Sequence, residues 1–545
     1  MRALVLDGYT DEPSCLGVPP FISPYVRLVF GAMVEAGADV RYATVDQWRA
    51  NALDMTGFSL LVAIRHIAVP GKYLRGMPAS DRELSEIGKG FQGDSIVSLG
   101  AGGDKIGRAV VDSFDEVAPG DSDAYVHDLL AAGGAHARRR TTQEWNRWLL
   151  KGARACASHP DFGGPLIAEM QMYRGCVRYG SGGCAFCIEP LQGEPVFRAP
   201  EDILAEAKAL SDIGVRNLRL GAQTCVYSYM AKGVGETETP VPNSDVISCL
   251  LKSIREVAEP AVFHLDNANP AVIAAHPAEA REVTKAIAEY CTGGNVLALG
   301  LESADPEVAK ANNLNATPQD ALEATRIINE FGSSKGPTGL PLVLPGMNFL
   351  CGLRGETKKT YDLNIEFLTG LASEGLLLRR INIRQVIPVR QDHPGVRQRG
   401  QFLRFKRFVR EQIDLPMLER VVPNGTIISS VYTELREGGR TFGRQVGTYP
   451  ILIGLPYPYE TGRWIDVFVV GRGPKSLIGI VHPTPVNTAS LSMLEAIPGI
   501  GRRRAMTIVR KRPFTDTEEV RGLLGEGEAE ASAMRLLSLN DVATE

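Results

Sequence analysis

The chain has 545 residues, 44% of them hydrophobic and 22% charged, with a net charge of −4. That is the balance of a globular protein too long for one core, and two to four domains are expected. The slight negative charge excludes a global basic field, so contact with nucleic acid has to come from local patches. No long apolar run is present and Met1-Arg2 leads directly into an apolar stretch; no membrane span or signal peptide is expected, and a cytoplasmic location follows.

Residues 1–160 alternate between strand and helix. Strand patterns at 3–7, 39–44, 59–64 and 94–100, with a helix at 25–36, predict a doubly wound α/β domain around a parallel sheet. Ligands of such sheets bind beyond the carboxyl ends of the strands. Two loops stand out there, at 70–76 and 100–104. From about 165 the rhythm changes: an extended run at 167–173 is followed by strand patterns at 216–221, 261–265, 296–300, 342–344 and 380–386, with helices between. Over residues 165–395 this predicts a partial (β/α) barrel with its chemistry at the strand ends. Residues 396–420 read as a basic linker helix, with Arg397, Arg399, Arg404, Lys406, Arg407 and Arg410 around Phe402, Phe405 and Phe408. Short β runs separated by Gly-rich turns over 421–485 predict a small β-barrel. Residues 488–530 are helical, and 531–545 form an acidic tail without a structural signal.

Of nine cysteines, Cys176, Cys184 and Cys187 fall within twelve residues, and the other six are scattered singly. This fits a reducing compartment better than a disulfide framework. The segment reads Tyr173-Arg-Gly-Cys176-Val-Arg-Tyr-Gly-Ser-Gly-Gly-Cys184-Ala-Phe-Cys187, a C-x7-C-x2-C pattern. Convergent thiolates are the ligands an iron–sulfur cluster demands. Three of them leave one iron open to a chelating cofactor. Two other readings are a zinc site, which wants a fourth Cys or His where the next Cys is Cys225, and buried apolar cysteines, against which the clustering among glycines argues.

The loop, Phe186 before its last cysteine and the barrel that follows resemble the radical S-adenosylmethionine (SAM) superfamily, whose commonest spacing is C-x3-C-x2-C. The resemblance covers about 165–390. Arg219-Leu-Gly-Ala-Gln223 stands where that family's second-strand motif contacts the cofactor, without the usual Gly-Gly-Glu, and implies Gly221 and Gln223 as cofactor residues. Ala298-Leu-Gly-Leu-Glu-Ser-Ala-Asp305, followed by Ala311-Asn-Asn-Leu-Asn-Ala-Thr317, resembles the fourth-strand signature and implies Glu302 and Ser303 as polar anchors, with an end-of-strand turn as the alternative. Pro345-Gly-Met-Asn-Phe-Leu-Cys-Gly-Leu-Arg-Gly-Glu-Thr357 resembles the fifth-strand region. The resemblance implies a [4Fe–4S] cluster on Cys176, Cys184 and Cys187, SAM as co-substrate, a 5′-deoxyadenosyl radical that abstracts hydrogen, and an electron-donor protein.

The N-terminal domain resembles the cobalamin-binding domain of many such enzymes, with Phe114-Asp-Glu-Val-Ala-Pro-Gly-Asp121 in the place of its closing region. The D-x-H-x-x-G ligand motif is absent, so cobalamin stands beside a structural or substrate-docking role. Residues 421–485 resemble a TRAM-type RNA-binding barrel, with Arg436, Arg440, Arg444, Tyr449, Arg463, Trp464, Arg472 and Lys475 as cations and stacking aromatics; a plain barrel with a solvated basic face is the alternative. Leu494-Glu-Ala-Ile-Pro-Gly-Ile-Gly-Arg-Arg-Arg-Ala-Met-Thr-Ile-Val-Arg510 resembles a helix-hairpin-helix motif, with Gly499, Gly501, Arg502, Arg503 and Arg504 at a phosphate-facing turn, though such hairpins also dock proteins. The whole order is similar to a largely archaeal group of radical SAM enzymes with a C-terminal helix-hairpin-helix. An RNA substrate, tRNA or rRNA, is expected. Methylation ranks above methylthiolation, provided cobalamin or another methyl carrier is found, because only Cys15 and Cys156 precede the loop where a second cluster would need three cysteines. A protein or small-metabolite substrate is the second reading. A DNA-repair binder with a structural cluster fits less well, since such clusters take four cysteines.

Overall fold

The computed structural model describes all residues except 13–14, 67–72, 101–106, 391, 474–475, 526 and 541–545, and the backbone alone at 528–530. Much of both N-terminal loops, together with Lys475, lies outside the described residues.

The first unit is a five-stranded parallel sheet whose order in space is Asp39–Thr44, Arg2–Asp7, Leu60–Ile64, Asp94–Ser98 and Glu116–Val117. In chain order this is 2-1-3-4-5, one of the two common doubly wound arrangements. Strands three and four are buried almost throughout, which is why they read as continuous apolar runs rather than alternating ones. The helix Pro24–Glu35 crosses Thr142–Gly152 at Gly31 and Gly152, where a Cβ on either would overlap the other's backbone.

The second unit holds six parallel strands, Ile167–Gln171, Asn217–Gly221, Val262–Leu265, Asn295–Glu302, Val343–Cys351 and Arg380–Gln385, each at a place the pattern indicated. Two sheets share them, joined by a bridge between Ala268 and Leu299. The units are not independent. Phe21–Ile22 leaves the first to pair in parallel with Ile167–Ala168. Arg27 donates to Glu206 (2.7 Å) and to the Glu169 carbonyl, with every side chain of this junction buried.

The basic segment is helical over Arg399–Phe408 and continues through a wider turn at Val409–Asp414 into Leu415–Val421. A closed five-stranded barrel follows, running in space through Ile427–Glu437, Arg440–Gln445, Leu452–Leu455, Leu477–His482 and Trp464–Arg472. It abuts the amino-terminal ends of the radical-barrel strands: the Ser429 amide donates to the Thr338 carbonyl (3.2 Å), and Gly294 lies against Gln445. Its 446–449 loop rises through the larger barrel. There the Thr448 amide donates to His264 Nδ1 (3.0 Å) and the Tyr449 hydroxyl to Asp266 (2.9 Å).

Two expectations are corrected here. The tail from 531 is structured as far as it is described: Glu528–Met534 is helical, and Leu537–Ser538 pairs with Thr484–Pro485, because Ala533 and Leu536 are buried against the hairpin unit. The cations and aromatics assigned to an RNA face of the small barrel are only in part turned to solvent: Arg436 and Arg440 are exposed without an acidic partner among the described residues, and others are engaged. Arg444 and Arg75 enclose the buried Glu434 carboxylate at 2.6 and 2.5 Å. Arg463 pairs with Glu460, Arg472 with Glu419, and Trp464 packs on Tyr432.

Candidate functional site

The strands of the second unit end on a cavity of about 280 Å³, lined by Cys176, Cys184 and Cys187 together with Phe186, Asn269, Glu302, Asn348, Asn382 and Arg384. The seven residues between the first two cysteines are held by groups from elsewhere. Asn313 donates to the carbonyls of Ser181 (3.1 Å) and Gly183 (2.8 Å), and Arg390 to that of Gly182 (2.5 Å). Gly182 and Gly183 sit at φ +80° and +59°, which a side chain would resist. The longer loop also brings Arg178 inward. Its amide donates to Cys176 Sγ (3.4 Å) and its guanidinium to Cys184 Sγ (3.2 Å), while Glu238 (3.0 Å) and Asn313 (3.4 Å) fix its direction.

Burial pushes the three thiols up, Cys184 to about 12, so ionising them calls for a strongly cationic partner. Among the described residues no three His, Cys, Asp or Glu side chains close on a single-ion position. A soft donor set of three thiols around a shared cavity, with a guanidinium turned toward the sulfurs, fits a [4Fe–4S] cluster that leaves one iron open.

Of the residues expected to face the cofactor, only Glu302 lines this cavity. It stands at φ +65° beside a break in strand register, and its carboxyl forms no hydrogen bond among the described residues. Burial pushes its carboxyl up to about 8, against a lowering by Arg384. A strained, desolvated acid facing a cavity is the form functional groups take. Ser303, Gly221 and Gln223 do not line the cavity. Ser303 Oγ accepts the Asp305 amide (3.2 Å) in the turn. Gln223 donates to the Leu220 carbonyl (2.9 Å) and accepts from the Met172 amide (3.4 Å). A Cβ on Gly221 would run into Arg219 and Glu169. Those two side chains are buried, and Arg219 bridges Glu169 and Asp266 at the floor of the barrel. The sequence reasoning passed over Arg178 and the polar row Arg380, Asn382 and Arg384. The alternation Arg-Ile-Asn-Ile-Arg-Gln in the last strand carried that signal.

A second crevice lies at the carboxyl edge of the first sheet, between it and the residues following Cys187. It is filled with paired groups: His66 lies between Glu12 (3.4 Å) and Ser98 (3.3 Å), and Arg140 donates to Asp123 (2.5 Å). At the end of the chain, the helices Leu491–Glu495 and Arg502–Lys511 enclose the turn with Gly499 at φ +88°. Ile497, Ile500, Ala505 and Ile508 are buried behind it, and Arg502, Arg503 and Arg504 are exposed.

Residues 170–367 match the model of the radical SAM superfamily. The uncharacterized protein MJ0274 of Methanocaldococcus jannaschii is 43% identical over 507 residues, covering 88% of this chain and 93% of that protein. A ribosomal protein uS12 methylthiotransferase RimO of Acidithiobacillus ferrooxidans is 24% identical, over 58% of this chain and 69% of its own length. A tRNA-2-methylthio-N(6)-dimethylallyladenosine synthase of Ralstonia nicotianae is likewise 24% identical, over 58% and 65%.

Proposed function

We propose that this chain, which belongs to the radical SAM superfamily and is a radical SAM iron–sulfur enzyme, modifies a carbon centre of RNA. Three thiols opening on one cavity carry the enzymatic part of that reading. When bound there, a reduced [4Fe–4S] cluster supplies an electron that cleaves SAM to a carbon radical able to take hydrogen from an unactivated position. The chain's own residues position and shield: Arg178 sets positive charge against the sulfurs, Glu302 offers a carboxyl to the cofactor's polar edge, and Phe186, Leu350 and Val386 keep water from the cavity wall.

For RNA, the support is the closed five-stranded barrel, an architecture used for oligonucleotides, the hairpin's exposed arginines, and the tRNA synthase among the relatives. The RimO relative, named for a ribosomal protein, favours a protein substrate as the second reading. Methylation ranks ahead of methylthiolation because Cys15 and Cys156, both buried, are too few for a second three-thiol cluster. Cobalamin would belong at the crevice of the first sheet. As the described residues stand, about 90 Å³ remains there, room for a few waters rather than a macrocycle, and His66 is already engaged.

The test is anaerobic reconstitution with iron and sulfide, with and without added cobalamin, followed by incubation with bulk transfer RNA together with a ribosomal protein fraction and methyl-labelled SAM. A four-iron cluster with label in RNA is the expected outcome. Label in a ribosomal protein fraction alone would transfer the activity to the second reading.

A further inference from the structure

The helix after the last radical-barrel strand carries charge that the fold leaves uncompensated. Arg397, Arg399, Arg404, Lys406 and Arg407 are all exposed, and none has an acidic partner among the described residues. Other exposed helices compensate theirs, as with Lys208–Asp212 and Arg326–Glu374. No Asp or Glu occurs from 393 to 410. Within this basic face Leu403 is 55% exposed.

Its position matters as much as its charge. Val386, Ile387 and Val389 line the thiol cavity, and Arg390 holds the cluster loop, so the chain runs from the cavity directly into this helix. Phe405, on the buried side, meets Phe349 of the cavity wall edge-on at 5.5 Å. A second group of exposed cations without acidic partners among the described residues, Lys310, Arg354, Lys358 and Lys359, stands beside the loop that packs Gly355 on Val308 and Ala311. The small barrel's strands, by contrast, abut the amino-terminal ends of the radical-barrel strands, and only its 446–449 loop, through Tyr449, reaches the cavity.

We propose that this helix, with the cations beside it, is the docking surface that seats the phosphate backbone of an RNA substrate at the mouth of the cavity, with Leu403 as an apolar contact for a sugar or unstacked base. The inference rests on the RNA reading above and names the surface that would serve it. A phosphate chain is the occupant that a row of unpaired cations beside a reaction cavity complements, and two of the small barrel's own cations, Arg444 and Arg472, are held by Glu434 and Glu419.

Full-length, cluster-reconstituted protein is titrated with fluorescent bulk transfer RNA at several salt concentrations, as wild type, R399E/R404E/R407E and R502E/R503E/R504E. Formation of 5′-deoxyadenosine without RNA checks that each variant is folded, and the neutral R399Q/R404Q/R407Q replaces the first variant if reversal disturbs the helix. The helix variant is expected to bind at least tenfold more weakly, with the slope of log affinity against log salt reduced by about 2. The hairpin variant is expected to change less. Wild-type binding with an unaffected helix variant would overturn this inference and leave the RNA reading standing. No binding by the wild type at low salt would overturn both.

Discussion

Both α/β units end their parallel strands on a cavity, and the two cavities differ in how their polar groups are spent. In the first sheet's crevice the charges neutralise one another: Arg140 with Asp123, and Arg174 with Asp121 at 2.7 Å. In the thiol cavity this is only partial: Arg178 donates to the Cys176 and Cys184 sulfurs, but the Glu302 carboxyl and Arg384 line the cavity without a hydrogen-bonded partner among the described residues. Paired buried charges hold a fold together once made, while unpaired ones cost stability and are kept where they do chemistry. The first region reads as a joint and the second as a reaction site.

That contrast can be broken by substitutions that should separate activity from stability. The largest effect is expected from C184A, which should lose the brown chromophore, bound iron and all SAM cleavage with little change in thermal unfolding; retained cleavage would overturn the cluster assignment. D123A should do the reverse. Leaving the buried Arg140 with Asp121 alone, at 3.5 Å, should cost about 1.5–3 kcal/mol in unfolding free energy, while iron content and cleavage per folded molecule hold. E302Q should weaken SAM binding about tenfold, by calorimetry on reconstituted protein, without loss of iron. It should also flatten one pH dependence. The Glu302 carboxyl is raised to about 8, so its contribution to stability is full below its unfolded value and is lost as pH climbs through 8. The glutamine removes that slope, which runs from the ordinary carboxyl value of 4.5 up to about 8. The smallest change is expected from R178Q: removing a cation near the sulfurs should lower the cluster potential, read by redox titration, while cluster content stays intact.

The order of strands and helices was legible because each half-buried or buried element carries its own period. All six radical-barrel strands stand where apolar runs and Gly turns placed them. The cysteine triad was legible for another reason, since its ligands are local in sequence. The cofactor residues were harder. Glu302 lines the cavity, but Ser303 faces its own turn and Gln223 is consumed by the Leu220 carbonyl and the Met172 amide. Adjacent residues at a strand end point in opposite directions, and a bulge at Gly300–Glu302 decides which one looks inward.

The sequence by itself determined the α/β alternation, the thiol loop and the basic helix, because period, spacing and charge are written along the chain. Only the tertiary structure decided how these are used. It set Arg178 against Cys184 across a loop closed by Asn313 and Arg390, hundreds of residues apart in part, and it turned Arg444 and Tyr449 from an RNA face into packing contacts. It also left the helix over 399–408 bare beside the cavity. The physical reason is common to all three: whether a charge is a ligand, a strut or a free surface depends on which distant group comes within hydrogen-bonding reach, and that is a property of the packed chain.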